Sequence, residues 1–242
     1  NGVWMASNKS VESPRWHQTG HNNWTSIMGG DGMQIQIDNR NSNIIYTGSQ
    51  FGVYYRLNNK TGKRTYLKPK HDLGESPLRF NWQTPILLSP HNQDILYLGS
   101  NKLHISLDRG DNWKFKSEDL TKGIKKGNVP YGTITSIDES IFKFGKLITG
   151  SDDGLVQLSN DGGNTWNIIS SDLPQNLWVS RVILSKHEEN KIYVTLNGYR
   201  YDDFNPYIFV SENNGESWKR IDDKLPKSSI NVIKEDPFYE DI

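Results

Sequence analysis

The chain has 242 residues with 28 basic and 28 acidic side chains, no cysteine, and a hydrophobic content of 34%. The resulting formal net charge of zero argues against a broad nucleic-acid-binding surface, and the lack of cysteine excludes disulfides and thiolate metal sites. No apolar run approaches the roughly 18 residues of a membrane span, so the sequence predicts none. Eight Trp and eleven Tyr suit a β-rich protein.

Five apolar segments recur along the chain, and most are followed by a polar turn. We predict that each is the first strand of a four-stranded repeat and lines a central channel: residues 33–37, 85–88, 134–137, 181–184 and 230–233. The second strand of three repeats ends near a glycine. These glycines, Gly48, Gly99 and Gly150, are 51 positions apart.

A tight turn at residues 159–166 joins the predicted third and fourth strands of one repeat. Asp161 can accept hydrogen bonds from backbone N–H groups that follow it, and Gly162 and Gly163 tolerate positive φ. The Thr165 hydroxyl can form a hydrogen bond with the turn from its far side, and Trp166 can pack beneath the loop.

The same turn occurs at residues 106–113 and 211–218. Its tryptophans, Trp113, Trp166 and Trp218, are 53 and 52 positions apart. A fixed period of this size that contains strands and no helix is typical of a β-propeller blade.

The sequence therefore predicts an all-β, partial β-propeller of four-stranded antiparallel blades within one segment, 1–242. The approximate blades are residues 1–24 (partial), 33–70, 84–118, 133–171, 180–223 and 230–242 (partial). We expect an open slice of a longer protein, because four blades and two part-blades are unsuited to closing a ring. The alternative is a closed ring in which residues 230–233 pair with residues 3–6 or 15–19.

The repeated turn resembles the Asp-box, or bacterial neuraminidase repeat, with the pattern Ser-x-Asp-x-Gly-x-Thr-Trp. One copy matches at every position, one has Asn112 in place of Thr, and one has Asn213 in place of Asp and Ser217 in place of Thr. The matching residues, with Asn213 at the Asp position, are Ser106, Asp108, Gly110, Trp113, Ser159, Asp161, Gly163, Thr165, Trp166, Ser211, Asn213, Gly215 and Trp218. The resemblance implies that these residues are structural and lie on the face away from a ligand.

A wider resemblance covers nearly the whole chain. Residues 29–32, 48–52, 79–85, 106–113 and 119–121 resemble exported bacterial proteins labelled sortilin-like or glycosyl hydrolase repeat proteins. This resemblance implies an extracellular or periplasmic location. It says little about chemistry, because Asp-box propellers include enzymes, receptors and assembly factors.

The loops on the face opposite the repeated turns supply the candidate ligand-binding residues. Aromatic rings there can stack on sugars or peptides, and arginines can clamp carboxylates. The candidates are Gln50, Arg79, Asn81, Trp82, Trp178, Arg181, Tyr199 and Arg200.

A glycosidase would need two carboxylates across the scissile bond. The candidates are Asp31 with Asp152 or Asp153, although Asp152 and Asp153 could instead hold a turn. The xyloglucanase-like pattern has an Asp where this chain has Ser49 or Gln50, and an amide cannot act as a general acid.

Two functions follow from these observations. The first is an exported propeller segment that binds a glycan or peptide, and the alternative is a glycoside hydrolase. The predicted partners are that ligand and the remaining blades of a longer parent chain, without nucleic acid. The six histidines have no metal-ligand spacing, so we predict no metal and no cofactor.

Overall fold

The structure is a computed structural model that describes residues 2–10, 18, 23–115, 117–124 and 131–240. Eighteen strands in these residues form four four-stranded sheets and one two-stranded sheet, and every pairing is antiparallel. The all-β prediction is confirmed. No helix among the described residues is long and apolar enough to cross a membrane.

Each four-stranded sheet is a blade whose strands follow one another in chain order. The two-stranded sheet pairs β1 (Val3–Met5) with β2 (Thr25–Met28). Blade 1 contains β3 (Gln36–Ile37), β4 (Ile44–Ser49), β5 (Val53–Asn58) and β6 (Arg64–Tyr66), and blade 2 contains β7 (Ile86–Leu88), β8 (Leu96–Gly99), β9 (Leu103–Ser106) and β10 (Lys114–Phe115). Blade 3 contains β11 (Ile134–Glu139), β12 (Leu147–Ser151), β13 (Val156–Ser159) and β14 (Asn167–Ile168). Blade 4 contains β15 (Trp178–Leu184), β16 (Ile192–Gly198), β17 (Asp203–Ser211) and β18 (Lys219–Arg220), with a 3-10 turn at Tyr199–Tyr201 between β16 and β17.

The hydrophobic core lies between consecutive blades. Three clusters of buried side chains join blades 1 and 2, blades 2 and 3, and blades 3 and 4. Alternate side chains of each strand point to opposite sheet faces, so apolar residues on both faces stack one blade on the next. Burial of this surface favours the stacked arrangement, since no blade could cover its own apolar faces.

Two of the three periodic glycines in the second strands, Gly99 and Gly150, allow this close stacking. A Cβ at Gly99 would lie 2.9 Å from side-chain atoms of both Ile134 and Pro85, and one at Gly150 would collide with Val179. Ile134 and Val179 belong to the next blade. Gly99 and Gly150 therefore mark positions where the neighbouring blade approaches the backbone, whereas a Cβ at Gly48 would collide with the Val53 carbonyl of its own blade.

The first strands differ from their predicted bounds. β3 is shorter than residues 33–37, whereas β11 and β15 extend beyond residues 134–137 and 181–184. Residues 230–233 are wrongly predicted as a strand, because they belong to no sheet and lie instead beside β15 and β16 through side-chain contacts.

The first sheet also differs from expectation, because β1 pairs with β2, which begins after residue 24. Among the described residues, 230–233 do not pair with residues 3–6, so the described residues do not show the ring closure considered above. The other closure partner, residues 15–19, lies outside the described residues except for residue 18.

The alternating strand directions divide the connections between two faces. The repeated turns at residues 106–113, 159–166 and 211–218 join third to fourth strands, and we call their side the turn face. Connections from second to third strands, and from each fourth strand to the next blade, lie on the opposite side, the loop face.

Candidate functional site

A polar cavity of about 350 Å³ opens where the first strands of the blades converge on the loop face. Its walls combine amides, hydroxyls, an indole, a phenol and two guanidinium groups. The described lining residues are Gln34, Asn81, Gln83, Thr135, Trp178, Ser180, Arg181, Asn197, Tyr199, Arg200, Asn231 and Val232.

Blade 4 supplies half of this lining because its inner strands are long. β15 begins at Trp178 and β16 continues to Gly198, so both reach farther onto the loop face than their shorter counterparts in blade 2. The chain then turns through Tyr199–Tyr201, and the left-handed Asp202 (φ 58°) returns it to β17. This turn places two of the predicted ligand-binding residues at the cavity edge.

Arg200 lies against two aromatic rings at this edge. Its guanidinium carbon is 3.7 Å from the centre of the Trp178 ring and 4.4 Å from that of Tyr199. Cation–π attraction holds a guanidinium in such a position, and Arg200 also donates to Asn197 Oδ1 at 3.5 Å. The result is an amphipathic platform with planar surfaces and a positive charge.

Arg181 brings a second guanidinium to the same cavity. Its Nε is buried without a hydrogen-bond partner in the described part of the chain, and burial lowers the pKa of the side chain. The Asp138 carboxyl partly offsets this effect. Burial raises the pKa of Asp138 to about 6, and its oxygens accept the Leu184 and Glu139 N–H groups.

The segment after blade 4 completes one side of the cavity. Ser180 Oγ donates to the Ile230 carbonyl at 2.7 Å, and Asn197 Nδ2 donates to Asn231 Oδ1 at 2.9 Å. These contacts hold Asn231 and Val232 beside β15 and β16.

Asp152 lies behind the lining and supports it through Thr133. Asn81 lines the cavity and donates from Nδ2 to Thr133 Oγ1 at 2.8 Å, and Thr133 Oγ1 donates to Asp152 Oδ2 at 2.7 Å. Asp152 Oδ1 accepts the Gly132 and Thr133 N–H groups, both at 2.9 Å. Burial nevertheless raises the pKa of Asp152 to about 6.

The other two proposed catalytic carboxyls also lie outside the cavity lining. Asp153 is fully buried, where Ser151 Oγ donates to its Oδ1 at 2.5 Å and the Lys122 N–H donates to its Oδ2 at 2.7 Å. Asp31 is exposed in the loop before blade 1. The structure therefore brings none of the three into the described lining, and their catalytic role stays a prediction.

Three predicted ligand-binding residues are likewise outside the lining. The guanidinium of Arg79 donates to the Gly132 carbonyl, Asp119 and Thr121, and so links blade 2 to the start of blade 3. Trp82 is 48% exposed and its ring lies edge-on to Phe51, with centroids 5.1 Å apart. Gln50 Oε1 is buried without a partner among the described residues.

The remaining five candidates, Asn81, Trp178, Arg181, Tyr199 and Arg200, do line the cavity. Sequence reasoning missed the polar side chains that lie at or just before the first strands, at the end of β16, and in the segment after blade 4. These are Gln34, Gln83, Thr135, Ser180, Asn197 and Asn231. A signal existed, because all except Asn197 recur at intervals of 45–52 residues at the start of the apolar segments.

On the turn face, the polar side chains of the repeated turns bond within their own turns. Ser159 Oγ accepts the Gly163 N–H at 2.8 Å and donates to Asp161 Oδ1 at 2.9 Å. Thr165 donates its N–H to Asp161 Oδ1 at 2.9 Å and its hydroxyl to Oδ2 at 2.7 Å. Ser106 and Asp108 repeat this arrangement with Gly110 and Asn112.

The third turn preserves the arrangement with an amide. Asn213 Oδ1 accepts the Ser211 hydroxyl at 2.9 Å and the Ser217 N–H at 3.0 Å, while its Nδ2 donates to Ser217 Oγ at 3.0 Å. Asn can replace Asp here because a serine hydroxyl both donates and accepts. Beneath the turn, Trp218 Nε1 donates to the Ile169 carbonyl of blade 3 at 2.7 Å.

No group of three or more His, Asp or Glu side chains in the described ranges is arranged to hold a metal ion.

Comparison with known proteins gives structural neighbours only. No family model and no curated protein matches the sequence. Solved structures that match include an ancestral GH74 enzyme, with 15% identity and a TM-score of 0.50 over 83% of this chain and 32% of that chain. The GH74 xyloglucanase from Xanthomonas campestris matches with 17% identity and a TM-score of 0.57 over 81% of this chain and 30% of that chain. The Niastella koreensis GH74 enzyme matches with 18% identity and a TM-score of 0.52 over 78% of this chain and 30% of that chain. This chain thus matches about a third of the length of each.

Identities below 20% establish a shared fold and nothing about substrate or reaction. The match confirms the prediction of a propeller built from four-stranded antiparallel blades. The chain has the glycoside-hydrolase-like β-propeller fold of the GH74 structures.

Proposed function

We propose that this chain is a propeller segment that binds a glycan in the loop-face cavity. The observation that carries the proposal is the platform formed by Trp178, Arg200 and Tyr199 beside a cavity lined by amides and hydroxyls. Aromatic faces accept the apolar face of a sugar ring, while amides and hydroxyls exchange hydrogen bonds with its hydroxyl groups. A few converging polar groups within a concave site are typical of ligand recognition.

Binding is favoured over hydrolysis by the chemistry of the lining. None of the described residues that line the cavity is Asp or Glu, whereas glycosidases use a pair of carboxyl groups at the scissile bond. The nearby Asp152 is engaged by backbone N–H groups and by Thr133, which suits a supporting residue.

Hydrolysis is the second candidate, and one observation favours it. The pKa of Asp152 is raised to about 6, as in carboxyl groups that act as general acids. Asp152→Asn separates the two candidates. A binding protein would release no reducing ends with or without this change, whereas an enzyme that uses Asp152 would release them as wild type and lose that release in the variant while still binding the glycan.

The wider context of this proposal follows from the resemblance and the fold match. The three repeated turns would be Asp-boxes that stabilise their hairpins. An exported, extracellular or periplasmic protein would present the loop face to polysaccharide. Remaining blades of a longer parent chain would complete the wall of the cavity, because the matched structures are about three times as long as this chain.

Glycan and peptide arrays probed with the protein test the proposal. We expect glycan binding that Trp178→Ala weakens at least about tenfold, because the sugar and Arg200 both lose a stacking surface. Trp82→Ala is the matched control, since Trp82 is also partly exposed but lies outside the cavity lining. Binding to peptides only, or equal loss in both variants, would contradict the proposal.

A further inference from the structure

The charge of the cavity narrows the class of glycan, provided that the proposed glycan binding holds. We infer that the cavity recognises an acidic sugar, with the carboxylate of a uronic acid directed to Arg181 and the sugar ring directed to the Trp178–Arg200–Tyr199 platform. A neutral polysaccharide would provide no counter-charge for the two guanidinium groups of the lining.

The cavity lining carries an excess of positive charge. Arg181 and Arg200 are the charged side chains among the described residues that line the cavity, and the remaining lining is neutral. Neither arginine forms an ion pair within 4.0 Å in the described part of the chain. The cavity is therefore electropositive, although the protein as a whole has zero formal charge.

The environment of Arg181 is unfavourable for a cation. Its Nε is buried and unpartnered among the described residues, which is costly for a cationic donor. Asp138 partly compensates the charge of Arg181, but its oxygens already accept the N–H groups of Leu184 and Glu139. Arg181 also lines the cavity without an ion pair among the described residues, so an incoming anion would supply the counter-charge that its guanidinium lacks.

The shapes of the guanidinium and of the neighbouring platform favour a particular type of anion. A guanidinium offers parallel N–H donors whose spacing matches the two oxygens of a planar carboxylate. The platform beside it is built of planar groups, the Arg200 guanidinium and the two rings it lies against, and a pyranose ring can stack on such groups. A uronic acid has both features within one residue, whereas an acidic peptide side chain has the carboxylate without the ring.

Isothermal titration with the protein tests the inference. The probes are polygalacturonate, alginate, carboxyl-reduced polygalacturonate, xyloglucan, a sulfated galactan and poly-glutamate. We expect at least one uronate polymer to bind at least about tenfold more tightly than the carboxyl-reduced polymer, with affinity that falls as salt rises. Arg181→Gln should abolish that preference, so that the uronate polymer and its carboxyl-reduced form bind this variant with similar affinity.

Two further variants keep the result interpretable. Arg200→Gln should also reduce uronate binding, and it decides the outcome if Arg181→Gln fails to fold. Arg220→Gln is the matched control, because Arg220 lies in the same blade and over the Tyr207 ring but outside the cavity lining.

Equal binding of uronate and carboxyl-reduced polymers, or preference for the sulfated galactan, would overturn the acidic-sugar inference while glycan binding stands. Arginine-dependent binding of poly-glutamate without any glycan binding would overturn both the inference and the proposed function. Absence of binding to every glycan would do the same.

Discussion

Two aspartates, one on each face of the propeller, have similar hydrogen-bond donors and opposite pKa shifts. On the turn face, the Thr165 hydroxyl and backbone N–H groups lower the pKa of Asp161 to about 2. On the loop face, Asp152 accepts a threonine hydroxyl and two backbone N–H groups, yet its pKa is raised to about 6.

Burial explains the difference. Asp152 is 2% exposed, whereas Asp161 is in solvent, so desolvation outweighs the hydrogen bonds in one case and not in the other. Hydrogen-bond geometry therefore does not by itself reveal the charge state of a carboxyl. The comparison also separates a turn that stabilises one hairpin from a buried carboxyl that holds the start of blade 3, where Thr133 in turn contacts Asn81.

The largest expected effect is the loss of stability when the carboxyl group of Asp152 or Asp161 is removed. Asp152→Ala should lower the free energy of unfolding by about 2–3 kcal/mol, because buried N–H and hydroxyl donors lose their acceptor. Asp161→Ala should cost less, since water can reach the donors it releases. Urea unfolding of the two variants measures the difference, and an equal or larger loss for Asp161→Ala would contradict the comparison.

A smaller effect on stability is expected from a change of pH. The folded pKa of Asp152 lies above the usual 3.8, so the folded state binds the proton more tightly and its contribution to stability falls as pH rises from about 4 to about 6. Asp152→Asn removes this dependence. Wild type should therefore lose on the order of 1 kcal/mol or more relative to Asp152→Asn between pH 4 and pH 8.

Asp161→Asn is the control for the pH experiment. The folded pKa of Asp161 lies below 3.8, so its contribution is present above that value and is lost as pH falls towards 2. The stability difference between wild type and Asp161→Asn should stay constant from pH 4 to pH 8. A pH-independent difference for Asp152→Asn over the same range would show that burial does not raise the pKa of Asp152.

The smallest expected effect concerns the third turn, where an amide replaces the carboxylate. Asn213→Asp should raise stability at pH 7 by less than about 1 kcal/mol, because charge-assisted bonds from Ser211 and Ser217 are offset by Glu212 and Glu216 in the same exposed turn. Melting temperatures at pH 7 and pH 3 measure the gain, which should shrink at pH 3 as the carboxyl takes up its proton. An equal gain at both pH values would exclude a contribution from charge.

The repeated hairpins were the most predictable part of the fold. The tryptophan and glycine spacings predicted four-stranded repeats, and the second strands containing Gly48, Gly99 and Gly150 form as expected. Residues 230–233 show the limit of prediction from apolar segments, because such a segment becomes a strand only where another strand pairs with it. Here the side chains of Ser180 and Asn197 hold the segment instead.

The sequence by itself determined the turns, because their hydrogen bonds join residues two to four positions apart and depend on local residue types. Tertiary structure decided the cavity, because its walls bring together side chains from successive blades that are about 50 residues apart in the sequence. Arg79 and Arg181 illustrate this point. Arg79 precedes the first strand of blade 2, and Arg181 lies within the first strand of blade 4. The Arg79 guanidinium donates to Gly132, Asp119 and Thr121, whereas Arg181 lines the cavity with an unpartnered Nε in the described part of the chain.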